Sequence, residues 1–169
     1  MPKPILIIFA GVIGTSKTPI AYYLSTALQL PIFNNDAIRT EVIEDRGFFD
    51  EEDFNNRRAD RLREIINVKT SFIGDFSIDR EWKNYRHVLA QAGYSCFIIS
   101  IDLGRKYIER LYAVKKYDES LQRLDQFMSD HEAFLRDYGA DVGLHITDDL
   151  FPQRLELSLG ACRDWLAKL

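Results

Sequence analysis

Residues 11–18 read GVIGTSKT and come close to the pattern G-x-x-x-x-G-K-[ST], in which the backbone N–H groups of a loop hold phosphate oxygens. In that pattern the lysine neutralises the outer phosphates, and the hydroxyl that follows it binds Mg²⁺. Four of the five informative places are filled, by Gly11, Gly14, Lys17 and Thr18. The sequence therefore predicts a nucleotide phosphate site, with Thr18 as a magnesium ligand. Its residues are Gly11, Val12, Ile13, Gly14, Thr15, Ser16, Lys17 and Thr18.

The loop departs from the pattern at two positions. Ser16 stands where the last glycine is expected, and a side chain there is costly only if φ must be positive. We expect Ser16 to have nearly helical angles instead, as it enters the next helix. Pro19 disfavours helical angles at Thr18, but proline is well placed in a first helical turn. We therefore expect a competent loop; the alternative is an ordinary strand-to-helix turn with an incidental lysine.

The segments around the loop are the ones that a phosphate site requires. PILIIFA at 4–10 is a continuous apolar run, typical of a strand that is buried on both faces of a sheet. After the loop, one apolar stripe with helical spacing is formed by Ile20, Ala21, Leu24, Ala27 and Leu28. The pattern predicts strand, loop and helix in that order, and the positive end of the helix would face the phosphates.

A second candidate group follows the next predicted strand, residues 31–33. Asp36 comes just after this strand, so we expect it at the same carboxyl edge of the sheet as the loop. There its carboxylate could accept a proton from a substrate hydroxyl, and Arg39 one turn later could hold an anionic group. The alternative is that Asp36 only caps the helix predicted at 37–45 and that Arg39 is solvated.

The remaining elements alternate in the same way. Further strands are predicted at 70–77, 95–102 and 142–147, and helices at 57–68, 80–92, 105–114 and 118–138, with a last helix opened by Pro152. Residues 48–56 are interpreted as a loop or a broken helix. Strands separated by helices predict a three-layer α/β fold with a mostly parallel sheet of about five strands.

Composition sets the wider limits. A chain of 169 residues with 46% hydrophobic and 28% charged residues is most simply one domain, 1–169, and is not disordered. Cys96 and Cys162 have no metal or redox spacing and indicate buried thiols in a reducing compartment. The apolar run at 4–10 is too short to cross a membrane, so we expect a cytoplasmic protein without a membrane partner. A net charge of −4 argues against nucleic acid as the main partner.

The loop, the string FNNDAIR, a strand ending near Asp75 and a later arginine-bearing helix together resemble the small P-loop kinases. These act on nucleosides, nucleotides, sugars and other small hydroxyl compounds, and they include AAA-type ATPase domains and zeta-toxin-like kinases. The resemblance covers nearly the whole chain in element order, although only the loop is specific. It implies ATP and Mg²⁺ as cofactors and Asp36 as catalytic base or substrate-orienting carboxylate. Asp75 would hold magnesium through water or contact the substrate.

The resemblance also implies a substrate cap around 41–66 and a lid around 105–123. In the lid, Arg110 would clamp the phosphates, with Lys115 and Lys116 standing where a second arginine is expected. In the cap, Arg57 and Arg58 could reach an acidic substrate. The alternative is that they pair with the acidic stretch 41–53, because charge runs are usually solvated faces.

The sequence thus predicts a phosphotransferase that moves the γ-phosphoryl group of ATP to a hydroxyl of a small molecule. Lys17, Asp36 and Arg110 are its candidate catalytic residues, and Asp36, Arg39, Arg57, Arg58 and Asp75 its candidate substrate contacts. Two alternatives stay open: a nucleotide-binding module with little transfer activity, and a kinase of 5′-hydroxyl nucleic-acid ends, suggested by the basic segment 57–69. The sequence predicts neither the acceptor nor the oligomeric state.

Overall fold

The structure is a computed structural model that describes residues 3–169. The strands are β1 (Ile5–Gly11), β2 (Ile32–Asn34), β3 (Phe72–Ser77), β4 (Ser95–Ile101) and β5 (Val142–Ile146). The α-helices are α1 (Lys17–Leu28), α2 (Asn35–Arg46), α3 (Glu51–Asn67), α4 (Trp82–Ala92), α5 (Arg105–Lys115), α6 (Asp118–Gln122), α7 (Leu124–Tyr138) and α8 (Arg154–Leu166). No helix within 3–169 is both long and apolar enough to cross a membrane.

The strands form one parallel sheet in the order β2-β3-β1-β4-β5, which confirms the predicted fold class. β1 is the central strand, with Leu6 beside Phe72 of β3 and Ile7 beside Phe97 of β4. Because all strands run the same way, the segments that follow β1, β2 and β3 leave the sheet at one edge. That edge carries the GVIGTSKT loop.

Helices cover both faces of the sheet and give the three layers. Ile7 and Phe9 of β1 pack under α1, α5 and α8, whereas Leu6 and Ile8 pack under α2, α3 and α4. Alternate residues of one strand therefore serve two cores, which is why β1 is apolar without interruption. In the helices that cover these two cores the central buried residues include Ile20, Ile108, Cys162, Ile38, Leu62 and Leu89.

Three predicted boundaries were wrong. Helix α3 begins at Glu51 and not at residue 57, inside the segment 48–56 that was interpreted as a loop or a broken helix. Asp50 caps this helix by accepting from the Asp53 N–H at 3.1 Å, and three acids favour its positive end. The predicted helix 118–138 is broken at Arg123 into α6 and α7. Pro152 lies in a 3-10 turn (Phe151–Gln153), and α8 starts after it.

The two cysteines are free thiols, as expected. Cys162 is fully buried and Cys96 is half-buried, and burial raises the pKa of both thiols to about 12. They are therefore neutral and unreactive at ordinary pH.

Candidate active site

The loop between β1 and α1 has a backbone that requires its glycines. Gly11 has a φ of +132°, and a β-carbon there would lie 2.9 Å from the carbonyl oxygen of Ile101. Gly14 has a φ of +77°, and a β-carbon there would lie 2.9 Å from the ring of Tyr117. These turns curl the loop back over the edge of the sheet, in the shape that aims backbone N–H groups inward.

The prediction of nearly helical angles at Ser16 was wrong. Its φ is +76° and its ψ is 19°, which is the left-handed region that costs a residue with a β-carbon about 1–2 kcal/mol. The Ser16 hydroxyl accepts a hydrogen bond of 2.7 Å from Nε of Arg154, the first residue of α8. Since serine supplies an acceptor that glycine lacks, the strain is offset by a contact with the far end of the chain. Pro19 lies in the first turn of α1, as expected.

Lys17 is buried with its ammonium group folded against its own loop. Nζ donates to the carbonyl oxygens of Gly11 at 2.9 Å and of Val12 at 2.5 Å. Burial lowers the pKa of Lys17 to about 8, a shift that the carboxylates of Asp79 and Asp75 partly oppose. The lysine is therefore charged at neutral pH but close to losing its proton.

Thr18 and Asp75 lie side by side across the sheet edge. The Thr18 hydroxyl donates to Oδ1 of Asp75 at 3.1 Å, and the Asn34 amide donates to Oδ2 at 2.9 Å. Burial raises the pKa of Asp75, with Asp36 adding to the rise, while Thr18 and Lys17 oppose it. No cluster of three or more His, Cys, Asp or Glu side chains suited to a metal occurs within 3–169. A hydroxyl and one carboxylate fit Mg²⁺, which uses few protein oxygens and keeps water and phosphate ligands.

Asp36 is not the cap of α2. That role belongs to Asn34, whose Oδ1 accepts from the N–H groups of Asp36 at 2.6 Å and of Ala37 at 3.3 Å. The Asp36 carboxylate is exposed and, within 3–169, takes part in no hydrogen bond or ion pair. It therefore remains available to a ligand.

One cleft of about 770 Å³ joins these groups. Its lining includes Lys17, Thr18, Asp36, Arg58 and Asp75. The structure thus brings the loop, the Thr18 and Asp75 oxygens and the Asp36 carboxylate together in one cleft. A smaller cavity of about 210 Å³ adjoins the cleft on the other side of the loop, lined among others by Asp79, Arg80 and Arg123.

Three arginines that the sequence predicted at the site lie outside the lining of the cleft. Arg39 stacks over the ring of Phe49 at 4.0 Å, and Arg110 stacks over the ring of Tyr107 at 4.7 Å. Arg57 donates to Asp53, to Glu41 and to Asp45. The structure therefore favours the alternative in which the acidic stretch and the basic helix pair with each other at Arg57. From the predicted lid, Lys115 and Tyr117 reach the cleft, and Nζ of Lys115 donates to the carbonyl oxygen of Gly14 at 2.7 Å.

A buried polar chain beside the loop escaped the sequence analysis. The Gly11 N–H donates to Oδ1 of Asp79 at 3.0 Å, and the same oxygen lies 3.2 Å from Nδ1 of His131. Nε2 of His131 lies 2.8 Å from Oδ1 of Asp102. The Asp102 carboxylate also forms hydrogen bonds with Ser100 through Oδ1 and with His145 through Oδ2. Burial opposes the charged imidazole, but hydrogen bonds and charge from Asp102 and Asp79 raise the pKa of His131 to about 9. The one available signal was that Asp79 and Asp102 each follow the end of a strand.

Two tyrosines and Arg154 complete the surroundings of the loop. The Tyr112 hydroxyl donates to the carbonyl oxygen of Ile13 at 2.6 Å, and Tyr117 lines the cleft beside Gly14. Arg154 also stacks over the ring of Phe151 at 4.4 Å. No motif in the sequence singles out these residues, because they reach the loop only through packing of α5 and α8 on α1 and the sheet.

No protein-family model and no curated protein sequence matches this chain. Solved structures do match along nearly its whole length. A gluconokinase from Sinorhizobium meliloti 1021 has a TM-score of 0.64 at 14% identity, over 98% of this chain and 95% of that one. An unliganded sugar kinase from Janibacter sp. HTCC2649 has a TM-score of 0.62 at 21% identity, over 98% and 95%.

The APS kinase of Mycobacterium tuberculosis, solved in complex with AMPPNP and APS, has a TM-score of 0.59 at 17% identity, over 96% of this chain and 99% of that one. Each of these likenesses covers 96% or more of this chain. The chain therefore has the fold of the small P-loop kinases.

Proposed function

We propose that the protein is an ATP- and Mg²⁺-dependent phosphotransferase that moves the γ-phosphoryl group of ATP to a hydroxyl of a small molecule. The observation that carries the proposal is the free carboxylate of Asp36 in the same cleft as Lys17, Thr18 and Asp75. A nucleotide-binding loop alone needs no such carboxylate. The fold that the chain shares with sugar kinases and with an APS kinase supports the same reaction class.

The loop and the start of α1 would bind the phosphates of ATP. The first N–H groups of a helix have no partner within the helix, and its dipole favours an anion there. On binding, the Lys17 ammonium would exchange its contacts with the carbonyls of Gly11 and Val12 for phosphate oxygens. Thr18 and Asp75 would hold magnesium, which when bound neutralises phosphate charge.

Asp36 would position the acceptor and take its proton. A bond forms between the acceptor oxygen and the γ-phosphorus, while the bond from that phosphorus to the β–γ bridging oxygen breaks. The leaving electron pair stays on ADP, and the hydroxyl proton goes to the Asp36 carboxylate. Positioning and charge supply most of the catalysis in this reaction, so few residues are required.

The positive charge next to the transferred group is assigned here to Lys115 rather than to Arg110. Lys115 contacts the loop at Gly14, whereas the exposed Arg110 stacks on Tyr107 outside the cleft. An ammonium group is a point charge without the planar fork of a guanidinium group. A lysine in this place would neutralise a phosphate oxygen without fixing its orientation.

The test combines ATP binding with transfer. The wild-type protein, ATP and Mg²⁺ are incubated with pooled nucleosides, sugars and polyols, and phosphorylated product is detected by mass spectrometry. Asp36→Asn should keep its affinity for ATP and lose transfer by about 10²-fold or more, because it removes the proton acceptor. Lys17→Ala should lose both.

Glu44→Gln is the matched control, since Glu44 is an exposed carboxylate of the same helix that does not line the cleft. Its rate should equal that of the wild type. A protein that does not bind ATP would refute the proposal, and ATP binding without transfer to any pool would favour the nucleotide-binding module. A nucleic-acid end kinase is disfavoured, because Arg57 and Arg61 both pair with Glu41.

A further inference from the structure

The far side of the cleft from the loop holds a carboxylate–guanidinium pair. Arg58 comes from α3, and Glu81 directly precedes α4; both line the cleft near Asp36. Nη1 and Nη2 of Arg58 donate to the two carboxylate oxygens of Glu81 at 3.2 and 2.9 Å. The pair is therefore bidentate, the geometry in which a guanidinium group recognises a carboxylate.

The rest of the Arg58 guanidinium group is also engaged. Nε donates to the side-chain oxygen of Asn35 at 2.8 Å, and Cζ lies 4.7 Å from the centroid of the Phe76 ring and 5.9 Å from that of the Tyr85 ring. The Arg58 side chain is 11% exposed, whereas that of Glu81 is 41% exposed. Both groups line the cleft, and the carboxylate is the more exposed of the two.

Within residues 3–169, two lysines and two further carboxylates are the other charged groups of the cleft. Lys17 and Lys115 lie at the loop, where each donates to a loop carbonyl, while Asp36 and Asp75 line the same cleft as Glu81. In the adjoining cavity Arg80 pairs with Asp130, and Arg123 is an exposed side chain stacked over Phe127 at 5.0 Å. A phosphate at the loop thus meets two ammonium groups, and an acceptor near Asp36 and Glu81 meets two carboxylates.

We propose that the acceptor is an uncharged polyhydroxyl compound and that Glu81 is the residue that excludes acidic acceptors, by occupying the fork of Arg58 with a carboxylate of the chain itself. This inference rests on the proposed phosphotransferase activity. An acid or phosphate ester would meet the carboxylates of Asp36 and Glu81 and would have to displace Glu81 to reach Arg58. Hydroxyl groups can donate to the same carboxylates, so a polyol satisfies them without a counter-charge.

The first test needs no knowledge of the acceptor, because acetate serves as the carboxylate probe. Thermal unfolding is followed against rising sodium acetate, with sodium chloride at equal ionic strength as reference. The unfolding temperature of the wild-type protein should show no saturable rise with acetate. Those of Glu81→Gln and Glu81→Ala should each show one. Glu81→Gln/Arg58→Gln should lose the gain again.

Asp36→Asn is the matched control, because it removes a cleft carboxylate without freeing a guanidinium group. A saturable gain in wild type, none in either Glu81 variant, or an equal gain in Asp36→Asn would overturn the inference. The last result would attribute anion binding to net charge instead of Arg58.

The second test compares matched acceptors, glucose with gluconate and glycerol with glycerate, by ATP consumption. Wild type should prefer the neutral member of each pair, and Glu81→Gln should shift kcat/KM toward the acid by about tenfold or more. A wild-type preference for the acids would overturn the inference. Absence of turnover with these acceptors and with the pooled nucleosides, sugars and polyols would refute the proposed function. The acetate result would still decide whether Glu81 closes Arg58 to anions.

Discussion

Ser16 shows how one side chain can both strain and support a binding loop. Ser16→Ala keeps the β-carbon in the left-handed region and removes the acceptor of Arg154, so we expect it to lower the free energy of unfolding by about 1–3 kcal/mol. Ser16→Gly also loses the hydroxyl but relieves the strain, and it should be less destabilising. Urea unfolding of both variants measures the difference, with Arg154→Gln completing a double-mutant cycle. A glycine variant less stable than the alanine variant would contradict this account.

If the protein binds ATP as proposed, Lys17 should make that binding sensitive to pH. Its pKa is lowered to about 8 by burial, so raising the pH through 8 leaves a growing share of the protein with a neutral lysine. Phosphate requires the ammonium form, and ATP binding at pH 8–9 should therefore take up protons and weaken as the pH rises. Calorimetric titration in two buffers of different ionisation enthalpy measures this uptake. Lys17→Arg, which stays charged, is the control, and an equal uptake in it would contradict the assignment.

At the scale of elements, one buried histidine of α7 links the ends of two strands. His131 lies between Asp79, which follows β3, and Asp102, which follows β4, and Asp79 in turn holds the Gly11 N–H. The helix is thus coupled to the phosphate loop through side chains rather than through the backbone.

That link should depend on pH in a definite direction. The pKa of His131 is raised from 6.5 to about 9, so its stabilising effect is complete below about pH 6.5 and is lost as the pH rises through 9. At pH 6, His131→Gln should be less stable than wild type by about 1–3 kcal/mol, and at pH 10 by much less. Urea unfolding at both values measures this, with His87→Gln as a surface control. A constant difference would show that His131 acts by packing alone.

At the scale of the whole molecule, the two cores on either side of the sheet share β1 and should unfold together. Trp82 is buried in one core and Trp165 packs against the other, and the chain has two tryptophans. Trp165→Phe leaves a reporter in the first core, and Trp82→Phe leaves one in the second. In each variant, urea transitions from fluorescence and from circular dichroism should coincide. A fluorescence transition separated from the backbone transition would contradict a single cooperative domain.

The fold was predictable because its signals are local. Uninterrupted apolar runs marked the buried strands, and Gly47 and Gly93 end their helices in the left-handed conformation that glycine favours. Helix boundaries were predicted wrongly where one local signal competed with another. The acids at 50–53 are typical of a solvated loop but also of a helix start, and Asn34 rather than Asp36 proved to be the cap.

The candidate site was predictable only in part, for a similar reason. Residues that line the cleft directly after a strand or within the loop, such as Lys17, Thr18, Asp36 and Asp75, were identified from chain order. The contacts of the arginines could not be predicted from chain order, since a long side chain on a helix can point to a ligand, an aromatic ring or a neighbouring acid. Arg39, Arg57 and Arg110 were expected at the site and contact other groups, whereas Arg58 does line the cleft.

The sequence by itself determined the layered α/β fold, the place of loop 11–18 after the first strand and the edge of the sheet at which Asp36 and Asp75 lie. Strand direction and loop position follow from the order of elements. Only the tertiary structure decided which charges the cleft presents. Ser16 meets Arg154 across 138 positions, His131 meets Asp79 across 52, and Arg58 meets Glu81 across 23. Such pairs depend on how helices pack against the sheet, and packing is a property of the folded chain that no local pattern contains.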